Sequence, residues 1–202
     1  MNPKIVLASG SPRRKELLTL AGVAFVVHAP DVDETPIRGE RPREMVARLS
    51  TLKARTAAEK VLIAGANGDS FWVLAADTTV VSATGKNLGK PADVSEAKKM
   101  IRALQGKKHR VFTGYTLLQV FRGKEKKKIV RTVGTDVFIK KMNADEIVAY
   151  VAQGESLDKA GAYAAQGFGM VLIEKISGSY TNVVGLPVAQ VLADLKKMGW
   201  KP

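Results

Sequence analysis

Ile5-Val-Leu-Ala-Ser-Gly-Ser-Pro-Arg-Arg-Lys-Glu-Leu-Leu18 is the stretch that decides the fold. Its first four residues form a short apolar run, suited to a buried strand. Ser9-Gly10-Ser11 is turn chemistry. Ser11 suits a helix N-cap, and Pro12 suits the first helical position, where a backbone N–H would go unpaired anyway. Leu17 and Leu18 follow one turn in. The stretch therefore reads as strand, tight turn, helix. Its charge does not fit a structural role. Arg13, Arg14 and Lys15 crowd a helix end that already carries partial positive charge, and each misplaced cation costs roughly 0.3–1 kcal/mol there. The same arrangement suits an anion: backbone N–H groups and guanidinium forks both point at a phosphate. A plain basic surface turn is the alternative.

Outward from this stretch, Gly22 suits a helix stop and Val23–Val27 a second strand. An acidic loop follows, Asp31-Val-Asp-Glu34, bounded by Pro30 and Pro36. From Pro42 to Lys60 the period is helical, and Lys53 shares a face with Met45 and Leu49. A lysine there either snorkels to the rim or points into a site. Phe71–Val81 is the most apolar strand and contains Asp77. A buried, ionised carboxylate must be paired, protonated or metal-bound. Asp77 at an exposed strand end is the other reading.

Gly85–Pro91 is a loop carrying Lys86 and Lys90, without Walker spacing. Asp93 with Glu96, and Asn143 with Glu146, resemble capping boxes that open helices ending at Gly106 and Gly154. Val111–Phe121 and Ile129–Ile139 read as antiparallel strands around a basic tip, Arg122–Lys128. Leu157–Gly169 is irregular, Met170–Ile176 reads as a last strand, Gly178–Gly185 as a loop, and Pro187 opens a C-terminal helix. Strands alternate with helices early and a hairpin comes later. This points to an α/β fold with a mixed sheet.

The 202 residues suit one domain, and 46% hydrophobic content supports a sizeable core. Absence of cysteine excludes disulfides, thiolate zinc sites and a cysteine nucleophile. Two histidines, His28 and His109, cannot build a His-rich zinc site, and nothing fits a Ser–His–Asp triad. Without a signal peptide or an apolar run of membrane length, a soluble cytoplasmic protein is expected. A formal charge of +13 favours anionic partners. The basic runs lack interleaved aromatics, so nucleic acid is not the expected one. Arginines and lysines (Arg13, Arg14, Lys53, Lys90) with carboxylates (Asp33, Glu34, Asp77) form an inventory for phosphoryl or nucleotidyl transfer with Mg²⁺ or Mn²⁺.

At this point the chain resembles the Maf family of nucleoside triphosphate pyrophosphatases. The motifs that carry the likeness are Ala8–Leu18, Asp31–Glu34, Ala75–Val80, Gly89–Pro91, Leu104–Gly114, Lys159–Gly167 and Gly178–Pro187, in the family's order. The resemblance implies a single domain over residues 1–202. Its fold would be a mixed twisted sheet flanked by helices, with two lobes around a cleft, related to the inosine triphosphatases. It implies hydrolysis of a nucleoside triphosphate to the monophosphate and pyrophosphate, with a divalent metal. Asp77 is then catalytic base or metal ligand, and Glu34 a metal-site acid. Ser9, Arg13, Arg14, Lys53 and Lys90 handle phosphates. Arg13, Thr78 and Gln166 match the branch acting on dTTP and UTP, whereas the 7-methylguanosine triphosphate branch carries tryptophan at the first of these. The alternatives are that purine-type substrate, or a non-enzymatic nucleic-acid-binding or cell-division regulator. Related proteins are often dimers, so a homodimer is expected. The loop Ala64–Ser70 is longer than the family's and touches no motif residue.

Overall fold

The computed structural model describes residues 4–63 and 70–201, so the loop singled out at Ala64–Ser70 lies, but for Ser70, outside the described residues. The element order is β1 (Lys4–Leu7), α1 (Pro12–Leu20), β2 (Phe25–Val27), α2 (Pro42–Ile63), β3 (Ser70–Val81), β4 (Asn87–Leu88) and α3 (Val94–Leu104). It continues with β5 (Lys108–Phe121), β6 (Lys124–Ile139), α4 (Ala144–Ala152), β7 (Ile173–Ser177), α5 (Tyr180–Val184) and α6 (Val188–Lys197). Two short 3₁₀ segments, Ala160–Ala162 and Gly167–Leu172, precede β7. Among the described residues the strands form a mixed seven-stranded sheet in the order β2-β1-β3-β5-β6-β7, with β4 on β3. None of the described helices is long and apolar enough to cross a membrane.

The chain divides into two compact units. The first comprises Met1–Asp77, Thr113–Val133 and Gly185–Pro202, and the second Thr78–Phe112 and Gly134–Val184. In the first unit, β1 pairs in parallel with both neighbours: Leu7 lies opposite Val27 of β2 and Leu74 of β3. The helical period of α2 buries Val46, Leu49, Lys53, Ala54 and Ala57. Ala54, Ala57 and Ala58 join Val6, Val73, Ala75 and Leu118 in one apolar cluster. Small alanines let the helix close on the sheet. At Gly114 the approach is closest, because a Cβ there would lie 2.4 Å from the Val46 backbone. The C-terminal helix α6 is tied in by Asp194, which is 2% exposed and accepts the Tyr115 hydroxyl at 2.8 Å.

In the second unit, α3 and α4 bury Ala97, Ile101 and Leu104 and Ile147, Tyr150 and Val151 in a shared cluster. Burying each such large apolar side chain is worth about 1.5–3 kcal/mol. Asn143 and Glu146 form the reciprocal capping box expected of α4. At α3 only half of the box forms: Asp93 accepts the Glu96 N–H at 2.8 Å, but the Glu96 carboxylate turns to the Ala92 N–H instead. β6 and β7 pair antiparallel, with Val137 opposite Ile176.

Several boundaries differ from the sequence reading, each for a local reason. The basic run at Arg122–Lys128 is mostly strand. The turn is Arg122-Gly123 alone, both at positive φ, the backbone of a two-residue hairpin turn. The expected strand from Met170 begins only at Ile173, because Gly167–Leu172 winds as 3₁₀. The Gly178–Gly185 loop contains α5, a helix of five residues, too short to show a period. Ser11 is the N-cap of α1, as expected, but its side chain makes no cap bond, and its N–H instead donates to Ser9 Oγ at 3.3 Å.

Candidate active site

The first unit collects its chemistry at the carboxyl ends of β1 and β2 and on the stretch of β3 just past its pairing with β1. β1 runs into Ser9 and the start of α1 and β2 into the Asp31–Glu34 loop, while β3 carries Asp77 beyond Leu74 and continues to Val81. The register places these ends side by side, and Ala8 N–H and His28 N–H extend the pairing to Leu74 and Leu7 carbonyls at 2.8 and 3.0 Å. Such strand ends are where open α/β sheets bind ligands.

Lys53 answers the question its helical position left open. It lies on the buried face of α2, is 8% exposed, and its Nζ sits 2.7 Å from Asp77 Oδ1 and 2.8 Å from Glu34 Oε1. It points into the site. Asp77 is 7% exposed, so the reading of it as a solvent-exposed strand end falls. A buried carboxylate is tolerable only when paired, and the Lys53 ammonium supplies that pairing. Asp33 stands apart from the pair: its carboxylate accepts the Thr35 N–H at 2.9 Å and shapes the turn that carries the exposed Glu34. Hydrogen bonds from the Thr35 side chain and, second, from its N–H hold the Asp33 carboxyl below its usual range.

Ser9 and Arg14 form a second knot. Arg14 Nη1 donates to Ser9 Oγ at 3.0 Å, and Arg14 Nε donates to the Gly185 carbonyl at 2.9 Å. Ser9 is 6% exposed, so its hydroxyl is held rather than swinging. Burial lowers the Arg14 pKa, the Asp77 charge opposes that, and neighbouring Arg13 adds to it. Arginine stays charged through such shifts. Arg14 is thus a fixed, partly desolvated cation within the field of Asp77. Arg13 is half-buried beside it in α1. The first turn of α1 contains no acidic residue to offset these cations. The Gly185 carbonyl was missed by sequence reasoning, which took Gly178–Gly185 as a loop within a motif but assigned none of its residues to the site.

Glu34 and Asp77 are an all-oxygen pair whose oxygens already converge on one cationic nitrogen. That fits Mg²⁺ or Mn²⁺, which take one or two protein carboxylates and complete their shell with water and substrate phosphates. No group of three or more His, Cys, Asp or Glu side chains converges among the described residues. The donor set is therefore suited to a metal shared with a phosphorylated ligand, not to a closed all-protein cage.

The second unit holds Thr78, Lys90 and Gln166. Thr78 follows Asp77 on β3 and is half-buried, Lys90 is exposed in the Gly89–Pro91 loop, and half-buried Gln166 precedes the second 3₁₀ segment. The loops bearing Lys90 and Gln166 are joined, because Gly161 N–H donates to the Gly89 carbonyl at 3.0 Å. Gly161 sits at φ +72°, and a Cβ there would lie 3.0 Å from Val80 Cγ1.

Comparison with known proteins finds a matching family model and relatives that span nearly the whole chain. A family model described as Maf-like protein matches residues 4–198. A dTTP/UTP pyrophosphatase of Geobacter metallireducens is 46% identical over 198 residues, covering 98% of this chain and 97% of its own. One of Geobacter sulfurreducens, with the same name, is 45% identical over 196 residues, covering 97% of each. Among solved structures, a HAM1 protein from Coxiella burnetii aligns with a TM-score of 0.54 at 16% identity, covering 96% of this chain and 99% of its own, which speaks to the fold alone.

Proposed function

The chain belongs to the Maf family, and from that premise we propose that it is a nucleoside triphosphate pyrophosphatase acting on dTTP and UTP. The observation that carries the reading is the ammonium of Lys53 held between Asp77 and Glu34 at the strand ends. Near-full-length relatives at about 45% identity carry that name, which supports the same substrates here.

The chemistry follows from the charges. A triphosphate entering the strand ends meets Arg13, Arg14 and Lys53, whose positive charges offset the phosphate oxygens. Arg14, fixed by Ser9 and Gly185, needs no reorganisation to do so. Lys53 can exchange its carboxylate partners for phosphate oxygens, leaving Glu34 and Asp77 to hold a divalent metal. When bound, that metal neutralises phosphate charge and lowers the pKa of water. Water attacks the α-phosphorus and passes its proton to Asp77 or to solvent, the bridging bond to the β-phosphate breaks, and pyrophosphate leaves. Lys90, Thr78 and Gln166 are assigned to the substrate as well, Thr78 and Gln166 together with Arg13 as the positions that match the dTTP/UTP branch. We place this activity in the cytoplasm, as suits an enzyme of nucleotide metabolism.

A panel of nucleoside triphosphates with Mg²⁺ or Mn²⁺ tests the reading. The expected products from UTP and dTTP are the monophosphate and pyrophosphate in equal amounts, with slower turnover of purine triphosphates. Release of orthophosphate and a diphosphate, or preference for 7-methylguanosine triphosphate, contradicts it. Removing the divalent cation with a chelator should stop turnover.

A further inference from the structure

His109 is not used by the chemistry above, yet it is one of the most buried polar residues in the second unit. It projects from β5, is 2% exposed, and its Nε2 lies 2.7 Å from the hydroxyl of Tyr163, which is 5% exposed. The rings meet edge to face with centroids 5.2 Å apart. His109 Nδ1 is buried and has no hydrogen-bond partner. An unpaired buried polar atom costs about 1–3 kcal/mol, so a site that needed only packing would be better filled by an apolar ring. Burial also lowers the His109 pKa to about 4, with Asp136 opposing. The ring is therefore neutral near pH 7, and its tautomer decides whether Nε2 accepts the Tyr163 O–H or donates to its oxygen.

Tyr163 stands three residues before Gln166, and the segment between is fastened at both ends. Upstream, Gly161 N–H binds the Gly89 carbonyl, next to Lys90. Downstream, the Glu155 carboxylate accepts the N–H groups of Phe168 and Gly169 at 2.8 and 3.0 Å. The chain pays in backbone strain for this path: Ala162 takes φ +62°, rare for a residue with a Cβ. Strain of this kind persists only where the surroundings over-determine it. Two tyrosines hold the middle of the segment: the Tyr180 hydroxyl donates to the Ala165 carbonyl at 3.3 Å, and Tyr163, from within the segment, pairs with His109.

We propose that the His109–Tyr163 pair is a positioning device for substrate recognition: it clamps the Ala160–Gln166 segment to β5 and so sets where Gln166, and through Gly161 the Lys90 loop, meet the nucleotide. Neither member of the pair is a catalytic residue. The inference rests on the assignment of Gln166 and Lys90 to the substrate made above.

Tyr163→Phe removes the hydroxyl and keeps the ring. It should raise KM for UTP roughly 5–10-fold, the worth of about one hydrogen bond, with kcat changed less than about 2-fold. His109→Gln, which keeps a donor and an acceptor, should recover most of the affinity that His109→Phe loses. The deciding step is the same Tyr163→Phe change in a Gln166→Ala background, since residues acting through one another are non-additive. The KM effect should shrink there to the part that passes through the Lys90 loop. An equal effect in both backgrounds, or no effect in the wild-type background, overturns the proposal. If Gln166→Ala alone leaves KM unchanged while UTP is still cleaved, the Gln166 assignment falls and this inference with it, but the pyrophosphatase reading stands. Amide hydrogen exchange reads the clamp without catalysis. Tyr163→Phe should lower protection selectively at 161–166, and unchanged protection there overturns the proposal even in a protein that hydrolyses no triphosphate.

Discussion

At the scale of single residues, Lys53 explains why Asp77 can be both buried and charged. The ammonium at 2.7 Å supplies the pairing, and Glu34 at 2.8 Å shares it. Asp77→Asn removes the charge but keeps the shape, and Lys53 retains Glu34, so the fold should survive. Hydrolysis of UTP should fall on the order of 10³-fold, as expected when a group that holds developing charge or metal is lost. Pyrophosphate release and a thermal melt on the same sample check both halves. An active Asn variant removes Asp77 from the mechanism. Much of this site was legible beforehand. The helical period put Lys53 on the face of Leu49, and an acid inside an apolar strand had to be paired. Its partner was not legible, because Lys53 and Asp77 are brought together by tertiary packing across 24 positions. His109 and Tyr163 were hidden for the same reason, 54 positions apart.

At the scale of elements, α2, the helix that carries Lys53, closes tightly on β5. Gly114 permits it, since a methyl group there would meet Val46 backbone atoms at 2.4 Å. Backbone cannot swing aside as a side-chain tip can. Gly114→Ala should therefore destabilise the protein by about 2 kcal/mol or more, as overpacking in a well-packed interior does. Urea unfolding reads this, and a midpoint equal to wild type contradicts the packing argument. Elements with a clear period or cap were readable from the chain. α2 announced itself by Met45, Val46, Leu49 and Leu52, of which Leu52 turns out exposed, and α4 by Asn143 and Glu146. Those that failed were short or disguised. β4 has two residues and α5 five, too few for any period. The strand half of Arg122–Lys128 was masked by its lysines, whose exposure on β6 makes charge, not hydrophobicity, the local pattern.

At the scale of the whole molecule, pH provides a test that does not depend on substrate. Burial lowers His109 from 6.5 to about 4. Between those values the unfolded chain holds a proton that the folded chain refuses, so stability rises with pH through that window. The contribution is complete above about 6.5 and is lost as pH falls toward 4. Urea midpoints measured at about pH 7 and about pH 5 should differ more for wild type than for His109→Gln, and equal differences contradict a neutral buried histidine. The α/β class was readable because strands and helices alternate through β3, and the mixed sheet because a hairpin follows. The lateral order β2-β1-β3 was not, since a parallel crossover leaves no mark on the residues that flank it.

The central claim is attack of water at the α-phosphorus of a pyrimidine triphosphate. Hydrolysis of UTP in heavy-oxygen water, with Mg²⁺ present and the products weighed by mass spectrometry, tests it most directly. The account predicts one heavy oxygen in UMP and none in pyrophosphate. Label in pyrophosphate, or in orthophosphate released beside UDP, would contradict it.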